Sequence, residues 1–484
     1  MLTASRVEQM VVVGHSVGAA VVATWVHDYA PRIRGMVLAT PAFNIRLYIP
    51  WAIPLLRIGL KWGLVKTVPS YVKARVLTHD PQEQEIHTRD SLITHSISTR
   101  VLIGLFDTSK RIVDDASAIQ TPTLILTAMD DWVVKVSAQK KFFERLKAAD
   151  KKIEMLKGFY HDVYHEQDRT KPLRLTKDFI EKIFHEPVLD RGLLQADKNS
   201  FSKNEYDALK QPLPVFFLKG LSFRLMKFFL ATLGRLSHGI RLGWESGFNS
   251  GRMLDYVYEN KAQGDFLIGK WLDRIYLNGI GWQGIRVRKV LLEETLKKAI
   301  EQIHRETRPV YLLDIATGAG RYMLETISAL KHLEIKALLR DFEPKNLAEG
   351  QKRADHLGLK NVTFLKGDAF DRNSIRVLSP QPHVVVVSGL YELFSSNEMV
   401  LNSLRGIADV IRPGGILVYT NQPWHPQLEL IARVLCDWDA KPWVMRRRTQ
   451  GEMDDLVSSV GFEKLGQTID PWGIFSVSWA KKVR

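Results

Sequence analysis

One cysteine, Cys436, stands in 484 residues. That excludes a disulfide framework and any zinc site built on cysteines, and it fits a reducing compartment. Acids are in deficit, with 53 Asp and Glu against 68 Lys and Arg and a formal net charge of +15. Such a balance favours an anionic partner, either nucleic acid or a phospholipid surface. No RRM, zinc-finger or helix-turn-helix signature is present, which disfavours nucleic acid. No apolar run reaches the ~18–20 residues that span a bilayer. The first apolar run, at Met10, leads into a Gly-Ser turn rather than a cleavage site, so no secretory leader is expected. Internal repeats and low-complexity tracts are absent. The expected location is the cytoplasm, at most peripheral to the inner face of the membrane, and no metal site is expected.

The length calls for two or more domains, and a hydrophobic content of 45% suffices for sizeable cores. The organising stretch is Val310-Tyr-Leu-Leu-Asp-Ile-Ala-Thr-Gly-Ala-Gly320. Its β-rich start reads as a buried parallel strand ending at Asp314. A small-residue turn, with Thr317, Gly318 and Gly320, then opens a helical pattern at Arg321. Strand, tight turn and helix make a nucleotide cradle, because glycines admit a ligand close to the backbone and the helix start offers free N–H groups. The third glycine of a dinucleotide fingerprint is missing, since Met323 stands there. The acid before the turn suits a cationic amino group better than a pyrophosphate.

Further strands repeat the pattern. Ile335 to Leu339 leads to Asp341, where a carboxylate can take two ribose hydroxyls. Val362 to Leu365 leads to Gly367-Asp368-Ala369, where Asp368 can accept from an adenine amino group. Val384 to Val387 leads to Ser388-Gly-Leu-Tyr-Glu-Leu-Phe394, and Ile411-Arg-Pro-Gly-Gly-Ile-Leu-Val-Tyr-Thr420 is a turn feeding a fifth strand. Acids at successive strand ends together with the glycine turn resemble a class I S-adenosylmethionine-dependent methyltransferase, over roughly Leu254 to Arg484. The resemblance implies a Rossmann-like doubly wound α/β sheet. It also implies S-adenosyl-L-methionine as cofactor, bound through Asp314, Thr317, Gly318, Gly320, Asp341, Asp368 and Ala369. Ala316 departs from it, where many members carry glycine.

Nearer the N-terminus, Met10-Val-Val-Val-Gly-His-Ser-Val-Gly-Ala19 is a strand running into G-x-S-x-G and then a helix. The glycines permit the strained turn that lifts Ser16 above a sheet. A serine needs a base and an orienting acid to act as nucleophile. Candidates follow in the order Ser…Asp…His. The acid is Asp130 or Asp131 in Ala128-Met-Asp-Asp-Trp-Val-Val134, and the base is His161 or His165 in Gly158-Phe-Tyr-His-Asp-Val-Tyr-His-Glu166. From about Glu8 to Phe184 the chain is similar to the monoglyceride-lipase and lysophospholipase branch of the α/β-hydrolases. That similarity implies Ser16 as nucleophile, Asp131 as acid, through the D-x-V-V register, and His161 as base. The backbone N–H of Val17 would serve the oxyanion. Residues 42–115 take the position of a cap, whose aromatic and proline-broken start suits either an acyl chain or an ordinary hydrophobic insertion. The fold's earlier strands, and the loop that donates a second oxyanion N–H, have no counterpart before Ser16. The expectation is an internal start that truncates a longer protein; loss of one such donor costs ~10²–10³ in rate elsewhere.

The expected domains are 1–189 for the hydrolase, 190–245 for a linker with a basic amphipathic segment, and 246–484 for the methyltransferase. Within the linker, Val215 to Leu236 is apolar but interrupted by Lys219, Arg224, Lys227 and Arg235. It reads either as a helix on an anionic membrane surface or as a helix packed between domains. Tyr276, Asn278, Trp282 and Arg286 could line an acceptor pocket or form a scaffold. The region resembles the leader of a group of bacterial methyltransferases fused behind a lipase-like hydrolase. For an acceptor that must lose a proton, Tyr391, Glu392 and His425 are candidate bases, with Glu392 first. The loop Ser388-Gly-Leu-Tyr391 is not the Asn/Asp-Pro-Pro-Tyr type used on bases and glutamine, which favours a small-molecule or lipid acceptor. The expected function is a bifunctional enzyme of lipid metabolism. Two alternatives stand beside it: a methyltransferase with a non-functional hydrolase remnant, and a non-catalytic membrane-associated binding protein.

Overall fold

The protein is described by a computed structural model that covers residues 9–49, 51–70, 72–188, 191–214 and 218–483. It divides into two compact units, Met1–Arg191 and Gly192–Arg484.

The first unit contains β1 (Val11–His15), β2 (Gly35–Ala39), β3 (Thr67–Pro69), β4 (Ser96–Ser98), β5 (Thr123–Ala128) and β6 (Lys151–Leu156). A parallel sheet runs β1–β2–β5–β6, and β3 pairs with β4 as an antiparallel ribbon. β2 and β5 are buried along their whole length. Their near-continuous apolar runs are what a sheet covered on both faces requires. Met36, Leu38 and Ile125 enter one core, while Val37, Leu124 and Leu126 enter the other. Each such side chain contributes ~1.5–3 kcal/mol on burial. The helix Val17–Tyr29 packs into the first core through Ala19, Ala20, Ala23 and Val26.

The cap region holds the β3–β4 ribbon and the helices Ala52–Lys61, Pro81–Arg89 and Thr99–Asp114. Pro50 and Tyr71, also in that region, lie outside the described residues. A buried charge network fastens the cap to the helix behind Ser16. His27 contacts Asp28 and Asp115 at 2.7 Å each, and Arg111 grips Asp28 at 2.6 and 2.8 Å.

The second unit contains β7 (Val310–Asp314), β8 (Ile335–Asp341), β9 (Val362–Lys366), β10 (Val384–Val387), β11 (Ile416–Asn421), β12 (Phe462–Ile469) and β13 (Ser476–Lys482). They form one sheet in the order β12–β13–β11–β10–β7–β8–β9, with β13 antiparallel to both neighbours. This is the doubly wound sheet of the class I methyltransferase fold. Leu312, Val384, Val386 and Val418 feed one face; Leu313, Val385, Val387 and Leu417 feed the other. The strand order reverses at β7, between β8 and β10. In open α/β sheets the ligand crevice lies at the carboxyl ends of the strands at such a switch point.

The stretch read as a linker packs within the second unit as the helices Phe201–Lys210, Leu218–Ala231 and His238–Ser246. Its polar residues have partners there: Glu205 accepts from Arg447 at 2.6 Å, and the Ala208 carbonyl accepts from Arg433 at 3.0 Å. Asp190 and residues 215–217 lie outside the described residues. The helices Gly251–Glu259, Phe266–Leu277 and Ile280–His304 precede the sheet. They are locked by Asp273, wholly buried, which accepts from Ser237 Oγ at 2.6 Å, from the Gly239 and Gln263 amides at 2.8 Å, and from the Tyr256 hydroxyl.

Candidate active sites

In the first unit the turn after β1 carries Ser16 at φ 51° and ψ −118°, a strained conformation for a residue with a side chain. Gly14 makes that turn possible, because a Cβ there would lie 2.7 Å from the Ala19 backbone. Gly18 has open space where its Cβ would stand, so the second glycine of the motif is not demanded by packing. The Ser16 hydroxyl lies 2.7 Å from His161 Nε2, and His161 Nδ1 lies 2.8 Å from Asp131 Oδ2. Asp131 is buried, and its Oδ1 accepts from the Val133 and Val134 amides at 2.7 and 2.9 Å. The chain of contacts orients the imidazole to take a proton from the hydroxyl.

The rival residues point elsewhere. Asp130 accepts from the Gly158 amide at 3.0 Å, and His165 is a surface residue paired with Asp162 at 3.0 Å. The Val17 amide opens the helix behind Ser16, one of the free N–H groups of that helix start.

Several residues that hold this arrangement carry no sequence motif. Thr40 Oγ1 donates to the His161 carbonyl at 2.8 Å. Glu166, buried, accepts from the Tyr160 amide at 2.9 Å and from the His79 amide at 3.0 Å, tying the His161 loop to the cap. On the other side, Arg46 and Asn44 pair with Val133 and Lys135, so the start of the cap is stitched to the loop of Asp131. Beyond that stitch, Trp51, Leu55, Ile58 and Trp62 are exposed.

In the second unit the crevice at the ends of β7, β8 and β9 holds the expected acids in three different states. Asp314 is wholly buried; Tyr322 donates to its Oδ2 at 2.5 Å and the Ala316 amide to its Oδ1 at 3.3 Å. Burial pushes its carboxyl up to about 7. Asp341, at the end of β8, accepts from the Gly318 amide at 2.8 Å and from the Glu343 amide and Asn346 side chain at 2.9 Å each. Asp368 is exposed and accepts only locally, from the Phe370 amide at 2.8 Å, while Ala369 beside it is buried. Gly318 has φ +59° and open space where a Cβ would stand, whereas the buried Thr317 side chain bonds toward Asp314 and works against the upward push of burial on that carboxyl. Gly320 closes the turn at φ +70°. The helix Gly251–Glu259 is held against this turn by Asp255, 2.9 Å from Arg321 and 3.2 Å from Arg353.

The three candidate bases are sorted by their partners. Tyr391 is buried, donates to Ser403 Oγ at 2.9 Å, and its phenol is pushed well up by burial. Burial pushes the His425 imidazole down to about 4, so the ring is neutral near pH 7. Its Nδ1 accepts from the Gln427 amide at 3.0 Å, which leaves the proton on Nε2 and no free lone pair to act as base. Glu392 is buried against Arg288, with Oε1 2.7 Å from Nη1, while Oε2 has no partner among the described residues. Arg288, which sequence reasoning did not single out, also lies 4.8 Å from the Phe475 ring. Tyr276 and Trp282 pack edge to face at 5.6 Å as part of a hydrophobic cluster. Asn278 is exposed, and Arg286 Nη1 is buried without a partner among the described residues. Phe342, exposed beside Asp341, was also passed over in the sequence.

Comparison with known proteins matches this two-part architecture. A family described as "Putative methyltransferase" matches residues 176–482, and one described as "Serine aminopeptidase, S33" matches residues 2–168. A protein of Escherichia coli K12 described as "Uncharacterized protein YnbC" is 44% identical over 476 residues, covering 98% of this chain and 81% of that protein. "Phospholipase YtpA" of Bacillus subtilis is 26% identical over 172 residues, covering 35% of this chain and 66% of that protein. "Monoacylglycerol lipase" of Mycolicibacterium smegmatis is 25% identical over 167 residues, covering 33% of this chain and 57% of that protein. The chain thus spans less than two thirds of the length of either of these two enzymes. With more than half of its length matched by the first family, the chain belongs to that methyltransferase family and carries an α/β-hydrolase unit ahead of the methyltransferase unit.

Proposed function

We propose that the second unit is an S-adenosylmethionine-dependent methyltransferase and that the first is a serine ester hydrolase, both acting on lipids or other amphiphiles. The transferase reading is carried by Asp341, a carboxylate hydrogen-bonded to the glycine turn at the switch point of the sheet. The residues of the crevice fit the cofactor. Gly318 leaves the turn open, and Phe342 offers an exposed ring for a purine. Asp341 would accept from ribose hydroxyls and Asp368 from the adenine amino group, and Asp314, buried behind the turn, would lend its charge to the ammonium. The bound sulfonium supplies an electrophilic methyl group. The chain's own residues align the acceptor, and Glu392 Oε2 takes the acceptor's proton where one must leave.

The hydrolase reading is carried by the Ser16–His161–Asp131 contacts. Ser16 Oγ attacks the ester carbonyl while its proton moves to His161 Nε2, and Asp131 stabilises the imidazolium. The Val17 N–H faces the oxyanion. His161 returns the proton to the departing alcohol, and water, deprotonated by the same nitrogen, releases the acid from Ser16. The exposed apolar side chains of the cap support an amphiphilic ester, and those of the helix Leu218–Ala231 support peripheral contact with an anionic membrane. No helix among the described residues is long and apolar enough to cross a membrane.

Calorimetric titration with S-adenosylmethionine tests the transferase half. Binding that Asp341→Ala weakens at least ~10-fold, about 1.4 kcal/mol, is expected; unchanged binding removes the assignment. For the hydrolase half, Ser16→Ala should abolish p-nitrophenyl ester hydrolysis. Hydrolysis at the original rate would leave the second unit as the sole activity.

A further inference from the structure

A cavity of about 650 Å³ lies in the second unit between the helices Phe201–Lys210, Leu218–Ala231 and Leu428–Val434. That volume falls within the roughly 300–1,000 Å³ of small-molecule sites. Its lining has two characters. Lys210, Arg224, Lys227, Arg433 and Lys441 face it against a single carboxylate, Asp437. Leu209, Leu213, Phe223 and Val444 supply an apolar wall.

The one carboxylate is engaged, since Asp437 Oδ1 accepts from the Asp439 and Lys441 amides at 3.0 and 2.9 Å. Arg433 is held in place by the Gln211 and Ala208 carbonyls, and its Nε is buried without a partner among the described residues. Lys210 lies over the Tyr206 ring at 4.0 Å. Neither Lys210 nor Lys227 has an acidic partner among the described residues. Lys210, Arg224, Lys227 and Lys441 are exposed to solvent, and an occupant that covers them must bring negative charge to offset their desolvation. A small hydrated anion leaves the wall unused, and a neutral lipid leaves the cations unpaired.

We propose that this cavity binds a single-chain anionic amphiphile, an alkyl chain bearing a carboxylate or a phosphate. The chain lies along Leu209, Leu213 and Phe223, and the head is met by Lys210, Lys227 and Arg433. The helix Leu218–Ala231 provides the entry. Arg224 and Lys227 line the cavity while Leu221, Leu225 and Phe228 of the same helix are exposed. Leu393, in the same turn as Glu392, is part of the wall, so a bound chain abuts the loop after β10. Binding requires no methyl donor and does not rest on the transferase reading.

The test titrates the full chain, without S-adenosylmethionine, with laurate, dodecyl phosphate, dodecyltrimethylammonium and inorganic phosphate, each below its micellar concentration. One-site binding of laurate or dodecyl phosphate is expected, about tenfold or more tighter than the cationic detergent. A preference for laurate identifies a fatty acid, and a preference for dodecyl phosphate a lysophospholipid. The double variant Lys210→Glu, Lys227→Glu should lose about tenfold in affinity for the anions. Leu213→Trp, which fills the apolar end, should lower affinity for both without lowering the melting temperature. Equal binding of the cationic detergent, binding of inorganic phosphate as tight as dodecyl phosphate, or affinities unmoved by Leu213→Trp would overturn the proposal.

Discussion

Replacing Asp314 by Asn should make the second unit more stable and less able to bind the S-adenosylmethionine proposed for it. Asp314 has no exposed surface, and burial raises its carboxyl from 3.8 to about 7. A rise of roughly 3 pH units corresponds to about 4 kcal/mol. The sign follows from proton uptake. Between about pH 4 and pH 7 the folded carboxyl holds a proton that the unfolded one has released. The stability Asp314 contributes is therefore whole below about pH 4 and is lost as pH rises through about 7. An amide never ionises; its Oδ1 still accepts from the Ala316 amide, while Nδ2 donates to the Tyr322 oxygen, which reverses that bond and turns the phenol proton toward another acceptor.

Asp314→Asn should thus exceed the parent by only about 1 kcal/mol at pH 4.5 and by up to ~4 kcal/mol at pH 8.5, the latter about 8 °C at ~2 °C per kcal/mol. Scanning calorimetry of both proteins at the two pH values measures this, and taking the difference cancels every other titrating group. Adding S-adenosylmethionine at pH 8.5 should raise the parent's melting temperature and leave the variant's nearly unmoved, because a buried ionised carboxylate is compensated by the ligand's ammonium. An equal difference at both pH values, or a variant less stable at pH 8.5, would refute the account.

Other expectations follow from single side chains. Asp131→Asn keeps the shape of the acid but loses the charge behind His161, so ester turnover should fall roughly 10³–10⁴-fold with unchanged circular dichroism; a loss below tenfold would separate Asp131 from the chemistry. Asp273→Ala orphans the Ser237 hydroxyl and the Gly239 amide, and leaves the Tyr256 hydroxyl and the Gln263 amide only their longer 3.2 Å contacts with the Lys261 carbonyl and the Tyr256 oxygen. At ~1–3 kcal/mol for each buried donor left unmet, and with partial relaxation, urea titration should show a loss of about 3–5 kcal/mol in the second unit. An unchanged midpoint would mean that water already serves these donors.

The net charge of +15 illustrates how composition and structure can diverge. Arg446, Arg447 and Arg448 are three consecutive cations, yet all three are buried. Arg446 pairs with Glu452 at 2.6 Å, Arg447 with Glu205 at 2.6 Å, and Arg448 caps the Tyr391 and Phe394 carbonyls at 2.6 and 2.7 Å. Their partners lie up to 244 residues away in sequence, at Ser202. No local pattern distinguishes such arginines from solvated ones.

The sequence by itself determined the strands and turns whose chemistry is local. Runs such as Val384–Val387 favour burial in a sheet, Gly14 permits a close approach to Ala19, and Gly318 and Gly320 hold positive φ in a tight turn. The order of acids after strands was legible for the same reason, since a strand end projects its next side chain at the sheet's edge. β12 and β13 were not read, because Phe462–Ile469 and Ser476–Lys482 mix polar and apolar residues and are stabilised chiefly by each other and by β11. Only the tertiary structure decided between neighbours of equal sequence merit. Asp131 rather than Asp130 meets His161, and Glu392 is left with one free oxygen while His425 and Tyr391 are spent on local partners. It alone set Arg288 against Glu392 and gathered five cations around an apolar cavity. Those outcomes depend on contacts between residues distant in the chain, whose energies exist only once the backbone has brought them within a few ångströms.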